Sequence, residues 1–285
     1  MMEYKHLFFF FFAFRLTAMG YAQNVINVWP KGNPTNSGLP ENEILLSEDR
    51  ISQVTIPTIT VYHPRHPNGM SVLCFPGGGY ALVSMGHEGN DWARWFADQG
   101  ITYMVLKYRM PNGHPEIPMD DAREAMNIIV SHAHEWNIDV HKIGVLGFSA
   151  GGHLATWTAT HYYIGGVRPA FQILFYPVIT MDNTFTHEGS RENLLGKNPE
   201  QKLIDDYSNE KVVNHETGKA FILACSDDPV VNPRNAIVYY QSLLDKGVSA
   251  ELHLFASGGH GWGNRDVYFK NQWEKLLSVW LKRLY

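Results

Sequence analysis

The chain has 285 residues, 45% of them apolar and 18% charged, with a formal net charge of −5 at neutral pH. This is enough for one sizeable core, and a domain of alternating strands and helices commonly runs to roughly 200–250 residues. The net acidity and the lack of a basic stripe exclude nucleic acid as an expected partner.

Lys5 and His6 precede an apolar run over residues 7–14. Arg15 interrupts it, and small residues follow up to Gly20-Tyr21-Ala22. This reads as a secretory signal over residues 1–22, cleaved after Ala22, with a single domain over residues 23–285. The run is far short of the ~20 residues that a membrane span needs. No cysteine lies near the cleavage site to carry a lipid, so no membrane anchor is expected. The expected location is the periplasm or the medium.

From Ile56 onwards apolar runs alternate with helical patterns, which predicts a mostly parallel sheet covered by helices on both faces. Residues 58–62 and 71–74 read as strands, the second running into Phe75-Pro76-Gly77-Gly78-Gly79-Tyr80. A helix is expected over 91–98, a buried strand over 101–106 and a helix over 120–136, where Asp120 and Asp121 suit a helix N-terminus. His132 and His134 would lie two apart on that helix and face different ways. Residues 143–146 form the next strand and 152–160 the next helix, joined by Gly147-Phe148-Ser149-Ala150-Gly151. A strand over 171–176 is followed by a polar stretch, 181–215, that interrupts the alternation. The remaining elements are a strand over 220–224, a helix over 235–245, a strand over 250–255 and a helix over 273–281. No repeat, linker or second domain is visible.

Three connections between these elements carry chemistry. Gly-x-Ser-x-Gly in a strand–turn–helix setting places Ser149 on a sharp turn as a nucleophile, with small neighbours on both sides where side chains would meet the returning helix. The glycine run after the second strand can aim the Gly78 and Gly79 amides at a developing oxyanion, with the Ala150 amide as a further donor. No Gly-Lys-Ser/Thr follows, so it is not a Walker phosphate loop. Cys225-Ser226-Asp227-Asp228 ends a late strand, where either aspartate could orient a histidine. Ser257-Gly258-Gly259-His260-Gly261-Trp262 follows the last strand, and of the fourteen histidines only His260 combines a strand-end position with the right order. His153, just past the serine, is expected to pack or hydrogen-bond. Serine, then aspartate, then histidine is the chain order of α/β-hydrolases.

Across nearly the whole mature chain the sequence resembles the secreted α/β-hydrolase esterases that include bacterial acetyl xylan esterases and related carbohydrate esterases. The resemblance rests on Val28-Trp29-Pro30, on Cys74-Phe75-Pro76-Gly77-Gly78-Gly79-Tyr80, on His87-Glu88-Gly89 and on Leu106-Lys107-Tyr108-Arg109. It continues through Gly147-Phe148-Ser149-Ala150-Gly151-Gly152-His153, Gly189-Ser190-Arg191-Glu192-Asn193-Leu194-Leu195-Gly196 and Gly259-His260-Gly261-Trp262. It implies an eight-stranded, mostly parallel α/β-hydrolase sheet with a small polar cap, a Ser149–His260–Asp228 triad and an oxyanion hole from Gly78, Gly79 and Ala150. Asp228 is selected over Asp227 because relatives usually place two residues between the acid and a Val-Pro pair, a slot filled here by Val231-Asn232. Asn232 stands where relatives often carry proline.

The implied reaction is deacetylation of plant polysaccharides or their oligomers, with an acetylated carbohydrate as substrate and no metal or organic cofactor needed. The cap is polar, unlike the apolar lid of a lipase. Tyr80, Trp262 and Arg191 are the expected sugar contacts. Alternatives are a feruloyl-type or broad short-chain carboxylesterase, a small peptidase, which would lack the propeller domain that screens peptides, and a catalytically inactive carbohydrate-binding homologue. Cys74 and Cys225 fall on the third and seventh strands of such a sheet, which are not neighbours, and are expected to stay unpaired and buried.

Overall fold

The computed structural model describes residues 22–285. The signal-like segment lies outside the described residues except for Ala22, which opens the first strand. The main sheet contains β1 (Ala22–Asn27), β4 (Thr58–His63), β5 (Ser71–Phe75), β7 (Thr102–Lys107), β8 (Ile143–Phe148), β9 (Phe171–Phe175), β10 (Lys219–Cys225) and β11 (Ala250–Phe255). Its order is β1-β4-β7-β5-β8-β9-β10-β11. The β1/β4 and β4/β7 pairs are antiparallel and every pair from β7 to β11 is parallel. Strands β5, β8 and β9 are buried along their whole length, so they read as continuous apolar runs rather than alternating ones. Only β1 among the eight had no counterpart in the apolar pattern. It is an edge strand whose described side chains are mostly exposed, so burial leaves little mark on its composition.

A second sheet, absent from the sequence-based reading, joins β2 (Ile44–Ser47), β3 (Arg50–Ser52) and β6 (Leu82–Ser84). These strands are three or four residues long, too short for an alternation to register. Their importance is positional, because β6 directly follows the glycine run.

The helices are α1 (Ala93–Ala97), α2 (Glu116–Ser131), α3 (Ala150–His161), α4 (Glu188–Leu195), α5 (Gln201–Asp206), α6 (Arg234–Asp245) and α7 (Lys270–Lys282). α2 begins earlier than expected, with Pro118 tolerated in its first turn. It also ends earlier, so His132 and His134 lie beyond it, His132 stacking on Trp136 at 4.7 Å. Asp121 is consequently not a helix-terminal carboxylate. It is fully buried and receives Arg109 Nε and Nη2, the Arg109 amide and Trp29 Nε1 at 2.7–3.0 Å. This cluster ties Trp29 and Arg109, each in a segment on which the resemblance rests, to one helix.

Cys74 on β5 and Cys225 on β10 are free and buried, separated in the sheet by β8 and β9. Desolvation pushes both thiols up, Cys225 to about 11, so neither is a thiolate at neutral pH. Behind the C-terminal ends of the central strands Trp92 and Trp273, both fully buried, pack with Phe148 and Phe175 at ring separations of 5.0–5.4 Å. No helix among the described residues is long and apolar enough to cross a membrane.

Candidate active site

Ser149 connects β8 to α3 with φ 52° and ψ −122°, a conformation that costs of order 1–3 kcal/mol and persists only where the surroundings impose it. Here its amide donates to Phe175 O at 3.1 Å and its carbonyl accepts from Val178 at 2.9 Å. The flanking glycines are needed for space. A Cβ on Gly151 would lie 2.0 Å from Phe75 O, and one on Gly147 would lie 2.4 Å from Gly151 O. The expected sharp turn with small residues on both sides is therefore present in its steric detail.

His260 Nε2 lies 2.9 Å from Ser149 Oγ, and His260 Nδ1 lies 2.7 Å from Asp228 Oδ2. A carboxylate can only accept, so Nδ1 carries the proton and Nε2 presents a lone pair to the serine hydroxyl. The second Asp228 oxygen, Oδ1, accepts the amides of Val230 and Val231 at 2.8 and 2.9 Å. The Asp228 side chain is 1% exposed and that of His260 is 13% exposed, so the carboxylate is sealed while the imidazole keeps an opening. Asp227 is exposed and accepts the amides of Gly258 and Gly259 instead.

The glycine run is fixed peptide by peptide. Gly77 O accepts from Ser84 N on β6, and Gly78 O accepts from Ala81 N and Leu82 N. In a trans peptide the N–H points opposite to the C=O. The Gly78 and Gly79 amides are therefore turned away from those anchors, and neither has a protein acceptor among the described residues. The Ala150 amide, first in α3, is likewise unclaimed and sits at the positive end of that helix. The run lies against Ser149, since a Cβ on Gly77 would be 3.0 Å from Ser149 Cβ. The Gly78, Gly79 and Ala150 amides are thus unclaimed by protein acceptors among the described residues, and the loop that carries the first two passes Ser149 at Gly77.

The insertion after β9 forms α4, α5 and a short turn over Asn209–Lys211, anchored on α3 through Asn209 Nδ2 donating to His153 O at 2.9 Å. Asn193 Nδ2 donates to Gly79 O at 2.9 Å, tying α4 to the glycine run. His187 caps α4. Its Nδ1 accepts from the Ser190 amide, which leaves the proton on Nε2, and its Cε1 would lie 3.6 Å from a Cβ on Gly79. Burial, then the neighbouring His260, hold its pKa below the ordinary value, so it is neutral at pH 7. His187 has no signature in the sequence, because a single histidine in a loop belongs to no motif.

Two of the three expected sugar contacts are corrected. Tyr80 is 1% exposed, its hydroxyl 2.9 Å from His153 Nδ1 and its ring edge-on to Tyr108. Trp262 is 3% exposed and packed among Phe175, Tyr176 and Phe269 at 5.0–5.2 Å. Buried faces cannot stack on a sugar, so both rings support the loops they end. Arg191, one turn along α4 from His187, is half-buried with Nε unpartnered among the described residues, and no contact joins it to the triad. His153 is buried as expected, its Nε2 donating to Tyr207 O at 2.7 Å. Among the described residues no group of three or more His, Cys, Asp or Glu could hold a metal ion.

A family model described as an alpha/beta hydrolase fold matches residues 72–264. The chain is 39% identical over 247 residues to the acetylxylan esterase of Xylanibacter ruminicola, covering 84% of this chain and 50% of that protein. It is 33% identical over 217 residues to endo-1,4-beta-xylanase B of Butyrivibrio fibrisolvens, covering 71% of this chain and 34% of that protein. The chain thus spans half or less of these two relatives. Its fold matches the acetyl ester-xyloside bifunctional hydrolase of Caldicellulosiruptor lactoaceticus with a TM-score of 0.76 and 32% identity, covering 92% of this chain and 96% of that one.

Proposed function

The chain belongs to the alpha/beta hydrolase family, and from that membership we propose that it is a serine esterase removing acetyl groups from a xylan-like polysaccharide or its oligomers. The observation that carries the reading is the Ser149–His260–Asp228 relay, at 2.9 and 2.7 Å, lying beside three unclaimed amides. The substrate class rests on the 39% identity to a protein named acetylxylan esterase and on the polar cap.

Ser149 Oγ attacks the acetyl carbonyl while His260 Nε2 takes its proton. The carbonyl oxygen becomes an oxyanion, and the amides of Gly78, Gly79 and Ala150 donate to it; one such donor is worth roughly 3–4 kcal/mol in the transition state. Asp228 holds the imidazolium in orientation. His260 then returns the proton to the departing sugar alkoxide, leaving acetyl-Ser149. Water, deprotonated by His260, adds to that ester, and collapse expels acetate as Ser149 regains its proton. His187 stands beside Gly79 with a donor N–H, where it can meet a hydroxyl or ester oxygen of the sugar.

Export to the periplasm or the medium, with cleavage after Ala22, is part of the proposal and rests on the signal-like pattern of residues 1–22. The intact mass of protein recovered from an exporting host tests it; a mass that retains residues 1–22 would refute it.

The activity is tested by acetate release from acetylated xylan beside hydrolysis of aryl acetate and aryl octanoate. The expected outcome is acetate release from xylan and a higher kcat/KM for acetate than for octanoate esters. An apolar slot would reward each extra methylene by ~0.8 kcal/mol, so a rate climbing from acetate to octanoate would overturn the carbohydrate reading. Ferulate release at a comparable rate would move the assignment to a feruloyl-type esterase.

A further inference from the structure

The geometry points to Glu88 as a positioning residue that holds the oxyanion loop and the histidine loop in one register. This inference rests on the esterase reading of the same site. Glu88 is 4% exposed and makes no ion pair among the described residues. A buried carboxylate without a cation is costly, so its hydrogen bonds must account for its presence.

Those bonds lead to both halves of the site. Glu88 Oε2 accepts the Gly77 amide at 3.1 Å. With Gly77 O taken by Ser84 N at 3.0 Å, both polar ends of Gly77 are held, and the orientation of the following Gly78 amide is set with them. Glu88 Oε1 accepts the Tyr176 hydroxyl at 2.8 Å, and that same hydroxyl oxygen accepts the Gly263 amide at 2.8 Å. Gly263 lies three residues after His260, and the Tyr176 ring packs on the His260 imidazole with centroids 4.6 Å apart. The next residue repeats the tie, since the Asn264 amide donates to His87 O at 2.8 Å. Tyr176 is itself held at φ 38°, rare for a bulky side chain, which fits an imposed position. One carboxylate thus links the loop that stabilises the oxyanion to the loop that carries the base, without touching either reacting atom.

Glu88→Gln keeps the shape but puts an NH2 against either the Gly77 N–H or the Tyr176 hydroxyl. Tyr176→Phe keeps the ring on His260 and removes the hydroxyl that donates to Glu88 and accepts from Gly263. With p-nitrophenyl acetate, Glu88→Gln is expected to lower kcat about 100-fold with KM within about threefold of wild type, as for loss of interactions realised in the transition state. Tyr176→Phe should lower kcat about tenfold, and the double variant should fall no further than Glu88→Gln, because both cut the same chain. Labelling of Ser149 by a fluorophosphonate, followed by mass, should slow in the same proportions. Wild-type kcat in Tyr176→Phe and in folded Glu88→Gln, a loss carried by KM, or additive losses in the double variant would overturn the inference. Should Glu88→Gln not fold, Tyr176→Phe decides alone, with unchanged kcat and labelling counting against it. A wild-type protein that neither hydrolyses the ester nor takes the label would instead bring down the esterase reading.

Discussion

Asp227 and Asp228 are adjacent in the chain yet hold different parts of the same loop. Asp228 is buried and takes the imidazole of His260, whereas Asp227 is exposed and takes the amides of Gly258 and Gly259. Asp228→Asn is therefore expected to lower kcat by about 10³–10⁴-fold, since an amide at that position no longer stabilises imidazolium and can force the wrong tautomer. Asp227→Asn still offers an acceptor oxygen to the glycine amides and should stay within about tenfold of wild type. Steady-state kinetics on an aryl acetate decide between them, and the reverse ranking would reassign the acid.

Ser149→Ala removes the proposed nucleophile but leaves the strained turn with a small residue. The variant should fold, lose hydrolysis by about 10⁴-fold or more, and take no mass increment from a fluorophosphonate. Hydrolysis near the wild-type rate in the folded variant would sink the mechanism.

Arg109 and Asp121 form a buried pair, 2% and 0% exposed, and Trp29 Nε1 donates to the same carboxylate. Burial pushes the Asp121 carboxyl up, opposed by the bonds from Arg109 and Trp29. Asp121→Asn strands a desolvated guanidinium and should cost about 3–5 kcal/mol in the free energy of denaturant unfolding. A loss below about 1 kcal/mol would mean that the guanidinium finds water or another acceptor.

His153 adds a pH dependence of stability. Burial lowers its pKa from 6.5 to about 4, against the opposing effect of the bond that Nε2 donates to Tyr207 O; the neutral ring accepts at Nδ1 from the Tyr80 hydroxyl. The unfolded chain takes up a proton near pH 6.5 that the native state refuses until about pH 4. Unfolding thus becomes easier as the pH falls through that window, by on the order of 3 kcal/mol from this residue. Thermal melts from pH 7 to pH 4 should show a shallower decline in His153→Gln than in wild type. Equal slopes would assign the acid sensitivity to other groups.

Much of this protein was legible before any coordinates. Seven of the eight main strands have a counterpart in the apolar pattern, and the central parallel ones stand out most because they are buried on both faces. The three glycine-rich connections around Gly77–Gly79, Gly147–Gly151 and Gly258–Gly261 stand out because strained turns and close backbone approaches demand glycine at short range. Those are local requirements, written within five or six consecutive residues. What the tertiary structure decided is of another kind. It separated Asp227 from Asp228 by burial, moved Tyr80 and Trp262 from the expected sugar surface into the core, brought His187 from the insertion to Gly79, and placed Glu88 under two loops 11 and 175 residues away at Gly77 and Gly263. None of these has a local signature, because whether an aromatic ring meets solvent or a carboxylate meets an amide depends on which strands are neighbours in the sheet. That order is set by the packing of the whole chain.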